Sequence, residues 1–178
     1  MTYRALPALD VNRHLIGVAG GRAALATPAL VVELDVLKRN VALMARLCSE
    51  AGIALRPHAK SHKCASIAKL QREAGAVGFC CAKLGEAEAL TAAGVSDILL
   101  TSPIVAEQAL VRLAALNAHA DGLMVVVDAP EMVTKLGAAA RASGKTLGVV
   151  VDLDIGLHRT GIAPEKAADL AVAVAGEE

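Results

Sequence analysis

From Thr27 onward, short apolar runs alternate with longer segments of mixed polarity. The runs are "ALVVEL" (29–34), "IALRP" (53–57), "AVGFCC" (76–81), "DILLT" (97–101), "LMVVV" (123–127) and "LGVVVDL" (147–153). They lack the in-and-out alternation of half-exposed strands, which predicts parallel strands covered on both faces. Between them lie Ala- and Leu-rich segments of helical period, over 35–52, 65–75, 83–94, 106–119, 130–144 and 164–178. Gly52, Gly75, Gly94 and Gly144 stand where these helices should stop, as left-handed C-terminal caps. Pro130 and Pro164 stand at helix starts, where a missing N–H costs nothing.

Six βα units at a spacing of roughly 25 residues have the rhythm of a (β/α)8 TIM-type barrel. A doubly wound open sheet is the alternative. It favours a glycine-rich first βα turn, and "ELDVLKRN" contains no glycine. "GVAGGR" (17–22) follows no strand pattern and reads as a flexible connection rather than a phosphate loop. The expected organisation is an N-terminal arm over residues 1–25 and a partial barrel over 26–178. A closed barrel needs eight units and about 250 residues, so this one is expected to be truncated after about six. Two apolar strand edges would then be left open, and the last helix would end on Glu177 and Glu178, against its macrodipole. Alone, such a chain is expected to be marginally stable, self-associating and catalytically inactive.

Composition narrows the function classes. With 178 residues, 55% of them hydrophobic and 20% charged, the chain is globular and long enough for a sizeable core. Eighteen Lys and Arg balance eighteen Asp and Glu, which removes the long-range field that nucleic acids or anionic membranes select. Tyr3 and Phe79 are the aromatic residues, too few for a base-stacking platform. No apolar run is long enough to span a bilayer, and the N-terminus lacks the apolar core of a secretory signal. Cys48, Cys64, Cys80 and Cys81 show no zinc-type spacing and read as reduced thiols in the cytoplasm.

Against this balanced background, "RPHAKSHK" (56–63) gathers Arg56, His58, Lys60, His62 and Lys63 at the end of the second expected strand. Ligands of parallel α/β folds meet the C-terminal ends of the strands. Lys60 follows the strand closely enough to point into the barrel mouth, where desolvation and neighbouring cations favour an amine nucleophile. Lys63 lies deeper in the turn and is the poorer candidate; a merely solvated cationic loop is the bland alternative. A second cluster, "VDLDIGLHRTG" (151–161), ends the sixth expected strand with Asp152, Asp154, His158 and Arg159. The Asp and His residues suit a divalent cation, as in a metal-dependent barrel hydrolase. Arg159 suits an anion or a cofactor ring nitrogen, and a structural turn is again the bland alternative. Both clusters fall on the same rim.

In order and spacing, "TPALVVELDVLKRNV", "LRPHAKSHK" and "VVVDLDIGLHRTGI" resemble the N-terminal barrel of the D-threonine aldolase and D-serine dehydratase family. These are fold-type III pyridoxal-phosphate enzymes related to alanine racemase. The resemblance covers residue 26 to the end, although many members carry Cys where Thr160 stands. It implies that Lys60 is the catalytic Schiff-base lysine and that Arg159 faces the cofactor's pyridine nitrogen. It assigns no role to His58 or His62, for which loop hydrogen bonding is the plainer expectation. It implies a cytoplasmic lyase, homodimeric at full length, that acts on small D-configured β-hydroxy amino acids such as D-threonine. In this family later barrel strands supply a phosphate cradle and a C-terminal β-domain supplies divalent-metal ligands; neither is expected here, and no metal ligand is assigned. An amino-acid racemase, or a non-catalytic pyridoxal-phosphate protein, is the alternative within the resemblance.

Overall fold

The computed structural model describes residues 11–177. The chain divides into two compact units, residues 1–37 and 38–178. In the first, two short 3-10 turns, Arg13–Leu15 and Gly21–Ala24, are followed by an irregular segment. Asn12 Oδ1 accepts the Ala26 N–H at 2.9 Å, and Arg22 pairs with Glu33.

The second unit carries the sheet. Helix α1 (Leu34–Glu50) begins at the boundary and is followed by α2 (Ala65–Glu73), β1 (Phe79–Cys81) and α3 (Leu84–Ala92). Then come β2 (Ile98–Leu100), α4 (Glu107–His119), β3 (Met124–Val127), α5 (Glu131–Ser143), β4 (Gly148–Val151) and α6 (Ala167–Ala175). The strands pair in parallel in the order β1-β2-β3-β4, each joined to the next by a helix. That is an arc of the (β/α) barrel expected from the sequence. All six helices form where the periodicity puts them. Gly52, Gly75, Gly94 and Gly144 take φ values of 67°, 107°, 81° and 68°, the left-handed caps that end four of them.

Two of the six expected strands are corrected. Residues 29–33 are irregular and make no ladder bond among the described residues, and Leu34 already begins α1. An apolar run becomes a strand only where a partner takes its N–H and C=O groups. Residues 53–57 run beside β1 through Val77 N–H to Leu55 and Cys80 N–H to Pro57, at 2.9 and 2.8 Å, and end in an isolated parallel bridge between His58 and Cys80. Pro57 has no N–H to give, which limits this segment to a partial edge strand.

The expectation of strands covered on both faces is also corrected. Phe79, Cys81, Ile98, Leu100, Val125 and Val127 alternate onto the face packed by the helices and are almost fully buried. Leu84, Ala87 and Leu90 of α3, with Leu110 and Leu113 of α4, meet them at helical spacing. The opposite face is more open. Cys80 and Leu99 are half-buried there, and Val150 of the edge strand β4 is 40% exposed.

Candidate active site

Parallel pairing puts the C-terminal ends of all four strands on one rim. The His58–Cys80 bridge brings the basic loop to that rim beside β1. Lys60 sits in a 3-10 turn, Ala59–Ser61, pinned by Ala59, which is 1% exposed and packs in the core. The turn closes through His62 N–H and Lys63 N–H, both donating to the Ala59 carbonyl, and through Ser61 Oγ, which donates to the His58 carbonyl. The Lys60 side chain projects into solvent, and its ammonium makes no hydrogen bond or ion pair among the described residues.

The other basic residues of the motif are tied down. Arg56 turns to the opposite end of the sheet and donates to the Asp97 carbonyl. Lys63 adopts φ 48° and pairs with Glu86 at 3.4 Å. Glu86 also accepts the Ala82 and Lys83 N–H groups at 2.9 and 3.3 Å. Burial alone would raise the Glu86 carboxyl, but the Ala82 N–H, Lys63 and the Lys83 N–H outweigh it and hold it below the usual range. His62 Nδ1 accepts the Cys64 N–H at 3.1 Å at the start of α2.

His58 is held on both ring nitrogens. Nδ1 accepts the Lys60 main-chain N–H at 3.3 Å, and Nε2 lies 3.2 Å from Thr101 Oγ1, just past β2. Thr101 Oγ1 in turn donates to the Cys81 carbonyl at 3.1 Å. Burial, then the charge of Lys60, lowers the His58 pKa. The neighbouring thiols are poor nucleophiles: burial pushes Cys81 up to about 12 and raises Cys80 as well.

The second cluster lies past β4. Asp154 Oδ1 accepts the N–H groups of Gly156 and His158, each at 2.9 Å, and Oδ2 meets His158 Nδ1 at 2.7 Å. The His158 N–H leads these bonds in holding the Asp154 carboxyl down to about 2. Both residues serve the loop itself. Gly161 closes it at φ 102°, where an added Cβ would strike the backbone of Leu153 and Asp154; its N–H reaches Asp128 Oδ2, past β3, at 3.2 Å. Arg159 is exposed and without a hydrogen bond or ion pair among the described residues. Asp152 donates its N–H to Val127 and extends the sheet by one bond. Among the described residues no three His, Cys, Asp or Glu side chains cluster to hold a metal ion.

Lys60 and Arg159 therefore share a rim without touching. Thr101, Glu86 and Asp128 complete the rim and were not singled out in the sequence. Thr101 and Asp128 are polar residues at or just beyond the end of an apolar run, which is the signal that could have found them; Glu86 lies in the first turn of α3 and carries no such signal.

Residues 32–178 match the family described as alanine racemase, N-terminal domain. The chain belongs to that family. It is 37% identical over 142 residues to a 3-hydroxy-D-aspartate aldolase of Paracoccus denitrificans, covering 79% of this chain and 37% of the relative. It is 36% identical over 139 residues to a D-threonine aldolase of an Arthrobacter species, covering 78% of this chain and 36% of that protein. The solved structure of D-threonine aldolase from Filomicrobium marinum superposes with a TM-score of 0.84 at 40% identity, over 88% of this chain and 42% of that one. This member of the family thus spans well under half the length of the relatives it matches.

Proposed function

We propose that this domain is the cofactor-anchoring part of a pyridoxal-phosphate lyase that cleaves D-configured β-hydroxy amino acids, with Lys60 as the anchor. The observation that carries the reading is the contrast within one loop: the Lys60 amine has no partner among the described residues, while Lys63 is paired with Glu86. An amine and a guanidinium on the same rim, neither with a partner among the described residues, suit a cofactor that offers an aldehyde and a basic ring nitrogen. Lys60 would hold the aldehyde carbon, and Arg159 the ring nitrogen. The partial strand before Lys60 and strand β4 are four positions apart, the half-turn that sets two residues across the mouth of an eight-stranded barrel. When bound, the cofactor supplies an electron sink for a carbanion at the substrate Cα.

The chain's own groups account for the remaining roles. Arg159 is always protonated and only donates, so it leaves the ring nitrogen without a proton of its own. The Lys60 amine, displaced by the substrate's amine, would carry the proton that Cα takes up after Cα–Cβ cleavage, while the β-hydroxyl gives up its own proton as the aldehyde carbonyl forms, so that protons balance. No residue of this chain is assigned to a metal. The names of the aldolase relatives support the carbon–carbon lyase class, and the free cysteines support a cytoplasmic setting.

The test is turnover by the protein carrying this domain, supplied with pyridoxal phosphate and a divalent cation. Formation of glycine and acetaldehyde from D-threonine, abolished by Lys60→Ala, is expected. Alanine racemisation without cleavage would move the assignment to the racemases, and cofactor binding with neither activity would make it a carrier.

A further inference from the structure

We propose that His58 is a positioning residue for Lys60: a neutral imidazole with its proton on Nε2, suspended from Thr101, that fixes the main chain from which the Lys60 amine projects. This rests on Lys60 being the anchor and adds what keeps it in place. The roles along the chain of contacts run in one direction only. A main-chain N–H donates and never accepts, so Nδ1 of His58 must present its lone pair to Lys60. Nε2 then carries the ring proton and donates to Thr101 Oγ1, whose own proton goes to the Cys81 carbonyl. The same carbonyl takes the Thr101 N–H at 2.9 Å, which ties the strut to the ends of both β1 and β2.

Closing the turn does not require this ring. The His62, Lys63 and Ser61 bonds already close it. What His58 adds is a link from the Lys60 amide to the neighbouring strand. His62 does a different job, at the start of α2. A proton on Nδ1 of His58 would set a donor against the Lys60 N–H and break the strut. Burial first, then Lys60 on its own loop, disfavours that proton and outweighs Glu86 of α3 and the Cys80 main chain, which favour it.

Three readouts on the full chain test the proposal. Long-range nitrogen NMR at neutral pH should show His58 protonated on Nε2 alone. Hydrogen exchange at the Lys60 amide should be slowed, and about tenfold faster in His58→Ala and Thr101→Val. Covalent capture of pyridoxal phosphate at Lys60 is the third: amine and aldehyde condense with loss of water, and borohydride delivers the hydride that seals the bond. Capture should slow by about tenfold in the same variants, fall in the parent as His58 protonates in acid, and recover in Thr101→Ser and in His58→Asn, whose Oδ1 can replace Nδ1. His58 protonated on Nδ1, or parental exchange and capture in Thr101→Val, would overturn the proposal. A parent protein unlabelled at Lys60 would instead sink the anchor assignment, and Lys60 amide exchange would still judge the strut.

Discussion

The two ends of the sheet treat positive charge differently. At the N-terminal end Arg56, Arg72 and Lys145 all have partners. Arg56 donates to the Asp97 carbonyl, and Arg72 reaches Asp97 Oδ2 at 2.9 Å and the Ser96 carbonyl at 2.8 Å while lying over the Phe79 ring. Lys145 meets Asp121 at 3.4 Å and the Ala120 carbonyl at 3.3 Å. At the C-terminal rim Lys63 is paired, but Lys60 and Arg159 extend into solvent without a partner among the described residues. Arg56 and Arg72 are partly buried, and such charges are tolerable only with a partner, so these two read as stapling of loops. Lys60 and Arg159 are thus among the rim cations that can meet a ligand. One motif shows both behaviours, since Arg56 serves the lower end and Lys60 the rim.

The two ends should fail differently. Gly78→Ala should give the largest stability loss, because an added Cβ would strike both the Arg56 guanidinium and the Asp97 carbonyl, and the latter is backbone. We expect roughly 1–3 kcal/mol by urea unfolding, with cofactor capture at Lys60 retained. Lost capture with intact stability would break the division between the ends.

Acid should act on the rim first. Burial, with Lys60 second, holds His58 below the usual imidazole value of 6.5, and burial does the same to His62. Beneath 6.5 the unfolded chain therefore takes up protons that the folded chain refuses. This stabilising contribution is full above that pH and is lost as pH falls through the lower folded values. Urea midpoints should drop between about pH 7.5 and 5.5, and drop less in a His58→Asn, His62→Asn double variant.

Glu86→Gln should release Lys63 and add a minor second labelling site while Lys60 stays the major one. Labelling at Lys60 alone would show that pairing with Glu86 is not what silences Lys63. The smallest effect belongs to Lys145→Ala, whose pair with Asp121 is exposed; within about 0.5 kcal/mol of the parent is expected.

Helices were the most legible part of the sequence, because period and caps are local: Gly144 closes α5 and Pro130 opens it, where reading placed them. Strands were legible only where a neighbour exists. "DILLT" and "LMVVV" pair on both sides, whereas "ALVVEL" has equal strand propensity and no ladder bond among the described residues. The rim position of Lys60 could be anticipated from its place after a strand. Its isolation could not, because Glu86 lies 23 residues from Lys63 (86 − 63 = 23), and Thr101 lies 43 from His58. Nothing in the spacing of "RPHAKSHK" shows that Arg56 faces away from Lys60; that follows from the opening left at Gly78.

Peptide mapping decides whether Lys60 is the amine on the rim that takes the cofactor. The protein is incubated with pyridoxal phosphate, reduced with borohydride, digested, and every lysine is scored by mass spectrometry. A phosphopyridoxyl group is expected on Lys60, with Lys63 and Lys83 essentially clean. A label on Lys63 or Lys83, with Lys60 unmodified, would contradict it.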